Sequence, residues 1–331
     1  MVFLYIKVIF AFSFSLLVTF YIIPIFRSIA LRFGLVDNPN GTLKRHKEPT
    51  PYLGGVAIYC GFLSSLVFTV PFENNMFLFF VGITLLLFVG LTDDLAPLKP
   101  HQKLFGQCLA AFCFLKSGFY LKEHIFYNCW SMPISFLWIM TIINGFNLVD
   151  VMDGLATALA IMASISFFII ALILHNWAVA ILLASFTGAL VAFLWYNRPP
   201  AHMYLGDAGA LWVGGFLATV PFLINWGTYQ IYGFVTPVIV LGIVLLEVLV
   251  LIVVRTWKGI PFYQGSPDHF CIYLQEKGWS KYNILLYISI LSAILGIISV
   301  LFVLNIITIH ELLLFGGIIF VMWFFLLLKK G

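Results

Sequence analysis

Apolar residues run through this chain in long blocks, and the polar residues gather between them. Eleven blocks approach the ~20 residues that an α-helix needs to cross a bilayer. They lie at 3–26, 53–71, 76–92, 104–121, 133–147, 156–175, 177–196, 208–225, 231–254, 284–306 and 311–328. In lipid every backbone polar group must be satisfied inside its own segment, so such blocks predict helices rather than open strands. The expected fold is all-α, a polytopic integral membrane protein of about 10–11 transmembrane helices making a single domain over residues 1–331. Composition agrees, with 63% of residues apolar and 9% charged, against about 25% charged in soluble domains. The first block is too long, and has too many successors, for a cleaved signal peptide.

Charge gives the chain an orientation. Of the 17 Lys and Arg residues, all but three follow odd-numbered blocks. These are Arg27, Arg32, Lys44, Arg45 and Lys47; then Lys99 and Lys103; then Arg198; then Arg255, Lys258, Lys277 and Lys281; and finally Lys329 and Lys330. The positive-inside rule makes that face cytoplasmic and puts the N-terminus outside. The cytoplasmic loops then fall at about 27–52, 93–103, 148–155, 197–207 and 255–283, and each carries acid: Asp37 and Glu48, Asp93 and Asp94, Asp150 and Asp153, Asp207, and Asp268. No block has an acid near its middle except Glu247, late in the ninth, and no broken helix is read from the chain. A transporter would need such features near the bilayer midplane. Cys60, Cys108, Cys113, Cys129 and Cys271 are scattered without CxxC spacing, which argues against a disulfide or zinc framework.

The loops hold the candidate chemistry. In NGFNLVDVMDGL (144–155) the groups Asn144, Asn147, Asp150 and Asp153 recur every third residue. An α-helix would spread them over about half its circumference, and a 3₁₀ turn would align them. Such groups at a membrane boundary are costly unless something binds them. Lys44–Lys47 is either plain topology or a phosphate clamp. Asp93–Asp94 is either a solvated helix cap or a site for a hard cation, since Mg²⁺ favours one or two carboxylates plus phosphate oxygens. Helix packing accounts for Gly206, Gly209, Gly214 and Gly215 but not for Asp207 among them. His269, beside Asp268, is a weak signal alone. Together, Asp-bearing loops with interspersed Lys and Arg suit a magnesium–diphosphate substrate on the cytoplasmic side.

The motifs KEPTPYLGG (47–55), DD (93–94), NGFNLVDVMDGL (144–155), NRPPAHMYLGDAG (197–209) and GSPDHF (265–270) resemble, in order, those of the polyprenyl-phosphate N-acetylhexosamine-1-phosphate transferases. The resemblance implies attack of a polyprenyl (undecaprenyl) phosphate on the β-phosphate of a UDP-N-acetylhexosamine, with release of UMP, in a bacterial cytoplasmic membrane. It implies Mg²⁺, with Mn²⁺ as an alternative, held by Asp207 and Asp94. Asp93, Asp94, Asp150, Asp153 and His269 become the expected catalytic residues. Lys47, Lys103, Asn144, Asn147 and Asn197 become the expected substrate contacts. The lipid bilayer is the other partner, nucleic acid is not expected, and homodimerisation stays open. There are two departures. Val151 stands where the family usually has Gly, and the fifth loop has one histidine where the muramoyl-pentapeptide enzymes carry a run. The lone histidine points to the GlcNAc-type branch, with the muramoyl-pentapeptide reaction or a non-catalytic polyprenyl-phosphate transporter as alternatives.

Overall fold

The computed structural model describes residues 2–37, 50–70, 74–122, 128–226, 232–259, 261 and 268–328. Among these are thirteen α-helices and one short antiparallel ribbon. The helices are α1 (Val2–Phe33), α2 (Gly54–Thr69), α3 (Asn74–Leu95), α4 (Pro100–Lys116), α5 (Asn128–Val149), α6 (Leu155–Ile173), α7 (Trp177–Asn197), α8 (Gly206–Thr219), α9 (Thr236–Val240), α10 (Gly242–Trp257), α11 (Phe270–Glu276), α12 (Lys281–Val303) and α13 (Ile309–Leu328). The ribbon pairs β1 (Val36–Asp37) with β2 (Thr50–Pro51), Val36 opposite Pro51.

Each of the eleven apolar blocks coincides with a helix, and the fold is all-α and polytopic as expected. Seven of the described helices are long and apolar enough to cross a membrane, or eight when α9 and α10 count as one bent span. Among the others, α2 has 16 residues and α4 has 17. The ninth block is broken by 66° between its two helices, which corrects the expectation of unbroken spans. Pro237 stands at the start of α9, where its missing N–H and fixed φ suit a helix start rather than a continuation.

Two helices form the centre. In their apolar windows α7 is 78% and α8 83% buried, against 28% for α1 and 33% for α3 and α12. The exposed Phe3, Ile9, Tyr21 and Ile25 of α1 are therefore lipid-facing rather than wet. Lipid is as apolar as a side chain, so packing and interhelical hydrogen bonds must hold such a bundle. Phe186 of α7 stacks on Phe216 of α8 at 4.1 Å between ring centroids. Ser65 Oγ of α2 donates to Ser185 Oγ of α7 at 2.7 Å, and Ser164 and Thr187 share a 2.6 Å bond between α6 and α7.

Candidate active site

The helices overrun their apolar blocks, so most of the polar candidates stand on helix ends rather than on loops. Asp93 and Asp94 lie in the last turn of α3, and Asp207 lies in the first turn of α8. Pro100 occupies the first turn of α4, and Gln102 Oε1 accepts from the Lys99 amide at 3.0 Å. That start sets Lys103 on the first turn of α4. The ends of α3 and α8 meet at Gly90, where a Cβ would stand 2.2 Å from the Asp207 carbonyl oxygen. Only a glycine permits this approach, and it brings the acids of two distant segments together.

Lys103 is the hub of the cluster. Its Nζ donates to Asp207 Oδ2 at 2.6 Å, to Asp93 Oδ2 at 2.8 Å and to Asn147 Oδ1 at 3.3 Å. Asn147 Nδ2 in turn donates to Asp207 Oδ1 at 2.6 Å. One ammonium thus collects two carboxylates and a carboxamide from α3, α5 and α8. One turn deeper, Gln107 of α4 and Asn144 of α5 exchange both amide bonds, at 3.2 and 3.1 Å. The two pairs are rungs joining α4 to α5. Gln107 is 1% exposed and was not among the residues picked from the sequence. A polar side chain inside the block at 104–121 was the available signal.

Asp94 takes a different part from Asp93. Its Oδ1 accepts from the Asp207 amide at 2.8 Å and its Oδ2 from the Ala208 amide at 3.0 Å. It caps the N-terminus of α8 from another helix, where exposed N–H groups and the helix dipole favour an anion. Gly206 makes room, having φ +72°, and a Cβ there would meet Asp94 Oδ2 at 2.6 Å. The structure therefore joins Asp93, rather than Asp94, to Asp207 through a shared cation.

The four-residue stripe is split. Asn144 and Asn147 lie on the last turns of α5, while Asp150 and Asp153 lie in the turn after it. Burial first, and then the negative charges of Asp207, Asp94 and Asp153, hold the Asp150 carboxyl well above the usual carboxylate range. Asp153 Oδ2 accepts from Lys281 Nζ at 2.9 Å and from the Ala201 amide at 3.3 Å. Val151 is 41% exposed and is not among the residues of positive φ, so a side chain is tolerated where the family usually has Gly.

Asn197 is 2% exposed. Its Oδ1 accepts from the Gly154 amide at 3.1 Å and from Thr157 Oγ1 at 2.9 Å, and its Nδ2 donates to the Met203 carbonyl at 3.0 Å. Its carboxamide, expected among the substrate contacts, is engaged inside the protein. His269 is also buried, with Nδ1 3.0 Å from Glu247 Oε1. Glu247 thus supports the fifth loop through His269. Lys47, with Lys44 and Arg45, lies outside the described residues. What the structure describes of that loop is anchored, since the Tyr204 amide donates to the Pro51 carbonyl at 2.9 Å and the Gly54 amide to the Tyr204 carbonyl at 3.2 Å. Tyr204, its hydroxyl pushed up to about 12 by burial, lies with its ring centroid 6.2 Å from that of Tyr52.

Among the described residues no group of three or more His, Cys, Asp or Glu side chains is set to hold a metal. The donor set still fits a hard divalent cation, because Asp93 Oδ2, Asp207 Oδ2 and Asn147 Oδ1 are hard oxygens already converging on one positive charge. Mg²⁺ needs only one or two protein carboxylates when phosphates and water complete its shell.

Helical spans with a carboxylate–lysine cluster at one end define a multi-span membrane protein. The chain belongs to glycosyl transferase family 4, whose model matches residues 76–225. It is 27% identical over 304 residues to a probable undecaprenyl-phosphate N-acetylglucosaminyl 1-phosphate transferase of Bacillus subtilis, covering 89% of this chain and 85% of that one. It is 31% identical over 318 residues to a phospho-N-acetylmuramoyl-pentapeptide-transferase of a Geobacillus species, covering 86% and 94%. A protein of the latter name from Caldanaerobacter subterraneus is 29% identical over 303 residues, covering 83% and 92%.

Proposed function

We propose that this protein transfers an N-acetylhexosamine 1-phosphate, foremost that of GlcNAc, from a UDP-sugar to polyprenyl phosphate. A phosphate oxygen of the acceptor forms a bond to the β-phosphorus of the donor. The bond from that phosphorus to the bridging oxygen breaks, and UMP leaves with the electron pair. The observation that carries this reading is the single Lys103 ammonium shared by Asp93 and Asp207, within a family whose named relatives here are sugar-phosphate transferases acting on membrane lipids or cell-wall precursors.

Phosphoryl transfer asks a protein for positioning and charge neutralisation more than for a reactive side chain. Lys103 supplies a cation to the phosphate oxygens. Asn147 holds Asp207 in orientation, and the Asn144–Gln107 rung fixes the helices beneath it. Asp94 sets the direction of α8 and hence of Asp207. Asp153 and Asn197 tie the third and fourth loops to each other, and the Glu247–His269 pair anchors the fifth. Asp93 and Asp207 would hold Mg²⁺, which when bound neutralises diphosphate charge and polarises the P–O bond under attack. The positive-inside pattern supports a cytoplasmic active site with the N-terminus outside.

A second reading, transfer of phospho-N-acetylmuramoyl-pentapeptide, is favoured by the names of the Geobacillus and Caldanaerobacter relatives. The lone His269 of the fifth loop favours the first. The test is UMP release by the purified protein with polyprenyl phosphate and, in turn, UDP-GlcNAc, UDP-GalNAc, UDP-QuiNAc and UDP-MurNAc-pentapeptide. UDP-GlcNAc is expected to give the highest kcat/KM. Turnover with the pentapeptide donor alone selects the second reading, and UMP from none overturns both.

A further inference from the structure

Away from the acid cluster, the ends of α1 and α7 and the start of α12 enclose a second cavity of about 500 Å³. Its walls carry Arg27, Arg198 and His202, with Trp195, Tyr196 and Tyr282 beside them. Arg27 Nε donates to the His202 carbonyl at 3.3 Å, and the Arg198 guanidinium lies 3.8 Å from the Trp195 ring centroid. Among the described residues neither arginine pairs with a carboxylate. Asp153, which reaches this wall at Ala201, is matched by Lys281. The cavity is therefore cationic.

Toward its N-terminus α1 presents a shallow surface groove of about 420 Å³, lined by α1 alone and sharing no residue with the cleft. Its lining is apolar or aromatic, from Phe14 and Leu17 through Tyr21 and Ile22 to Ile25, one turn or less from Pro24 and Arg27. α1 is a peripheral helix, so this groove opens to lipid. A cationic cleft with two arginines and three aromatics, beside the apolar outer surface of the same helix, matches one kind of molecule, an amphiphile with an anionic head. Trp and Tyr settle at the headgroup level, and basic pockets between transmembrane helices hold anionic headgroups. No residue of α3, α4, α5 or α8 lines either cavity, so this is not the acid cluster seen from another side.

We propose that the α1–α7–α12 cleft binds a membrane phospholipid with an anionic phosphodiester headgroup, its phosphate against Arg27 and Arg198 and an acyl chain along α1. This does not depend on the reaction assigned above. The test uses the full chain, delipidated in detergent, with phosphatidylglycerol and phosphatidylcholine binding compared by native mass spectrometry. One basic side chain near an anionic headgroup is worth about fivefold in affinity, so two give roughly a 30-fold preference for phosphatidylglycerol. The double variant Arg27→Gln/Arg198→Gln should lose that preference while still binding phosphatidylcholine. Arg198 is exposed, so Arg198→Gln alone should fold normally and lower the preference about fivefold. Equal affinity for the two lipids in the unaltered protein overturns the proposal, as does a preference that survives the double variant. Inorganic phosphate displacing phosphatidylglycerol at equal concentration would reassign the site to free phosphate. Displacement by an equimolar amount of polyprenyl phosphate would reassign it to the acceptor.

Discussion

Lys103 Nζ lies 2.6 Å from Asp207 Oδ2, although 104 residues separate the two in sequence. The same ammonium holds Asp93, so removing it leaves two close carboxylates without a cation. Lys103→Met is expected to lower kcat/KM by about 10²-fold or more, the scale of losing one preorganised electrostatic contact. Asp207→Asn should do the same with the melting temperature nearly kept. A rate within about threefold of the parent, far below that scale, would show that Lys103 does not neutralise the reacting phosphates.

The metal is tested separately. With Asp93 and Asp207 as its ligands, chelation by EDTA should take transfer to background, and Mg²⁺ should restore it. Mn²⁺ should restore it in part. A full rate after exhaustive chelation removes the metal from the account.

Asp94 and Asp207 should separate by stability. Asp94 bonds two amides of α8, and losing an N-terminal cap costs about 1 kcal/mol, at most about 2. Asp94→Asn should therefore lower the melting temperature as well as the rate. Gly206→Ala should reproduce both effects, since it adds a Cβ against Asp94 at positive φ. If Asp94→Asn melts as the parent does while Gly206→Ala does not, the cap is not what Asp94 contributes.

Asn197 is predicted to act through structure. Asn197→Ala strands the buried Gly154 amide and the Met203 carbonyl, each left unsatisfied at about 1–3 kcal/mol. A marked loss of thermal stability is expected, measurable without any substrate. A parent-like melt with a raised KM for the UDP-sugar would instead return Asn197 to direct donor binding.

Asp150 gives a pH signature. Its pKa is raised above the unfolded value, chiefly by burial. The native state thus holds a proton that the unfolded chain releases, and the associated stability is complete below about pH 4. It is lost as pH rises through the folded pKa. Metal-free protein should melt lower as pH rises from about 4 toward the folded pKa, and Asp150→Asn should flatten that slope. Parallel slopes for the two proteins would contradict the assignment.

Much of this was legible in the chain. The apolar blocks located the helices, and the alternation of basic residues gathered Asp93, Asp150, Asp207 and Lys103 at one end before any coordinates. What stayed hidden depended on which helix faces which. Nothing local to Asp94 says that its oxygens reach the amides of residues 207 and 208. Nothing local to Asn197 says that it is sealed between two loops. The break at Leu241 is not legible because the apolar block continues through it. Gln107 could have been found, as a polar residue four positions after Lys103 on what becomes one helix face.

The central claim is that a sugar and its phosphate move together. The most direct measurement follows UDP-GlcNAc labelled with ³²P at the β-phosphate, mixed with polyprenyl phosphate, Mg²⁺ and purified protein. The account predicts that label enters the organic phase in step with unlabelled UMP, and that Asp207→Asn abolishes both. Label leaving as UDP, with sugar alone reaching the lipid, would contradict it.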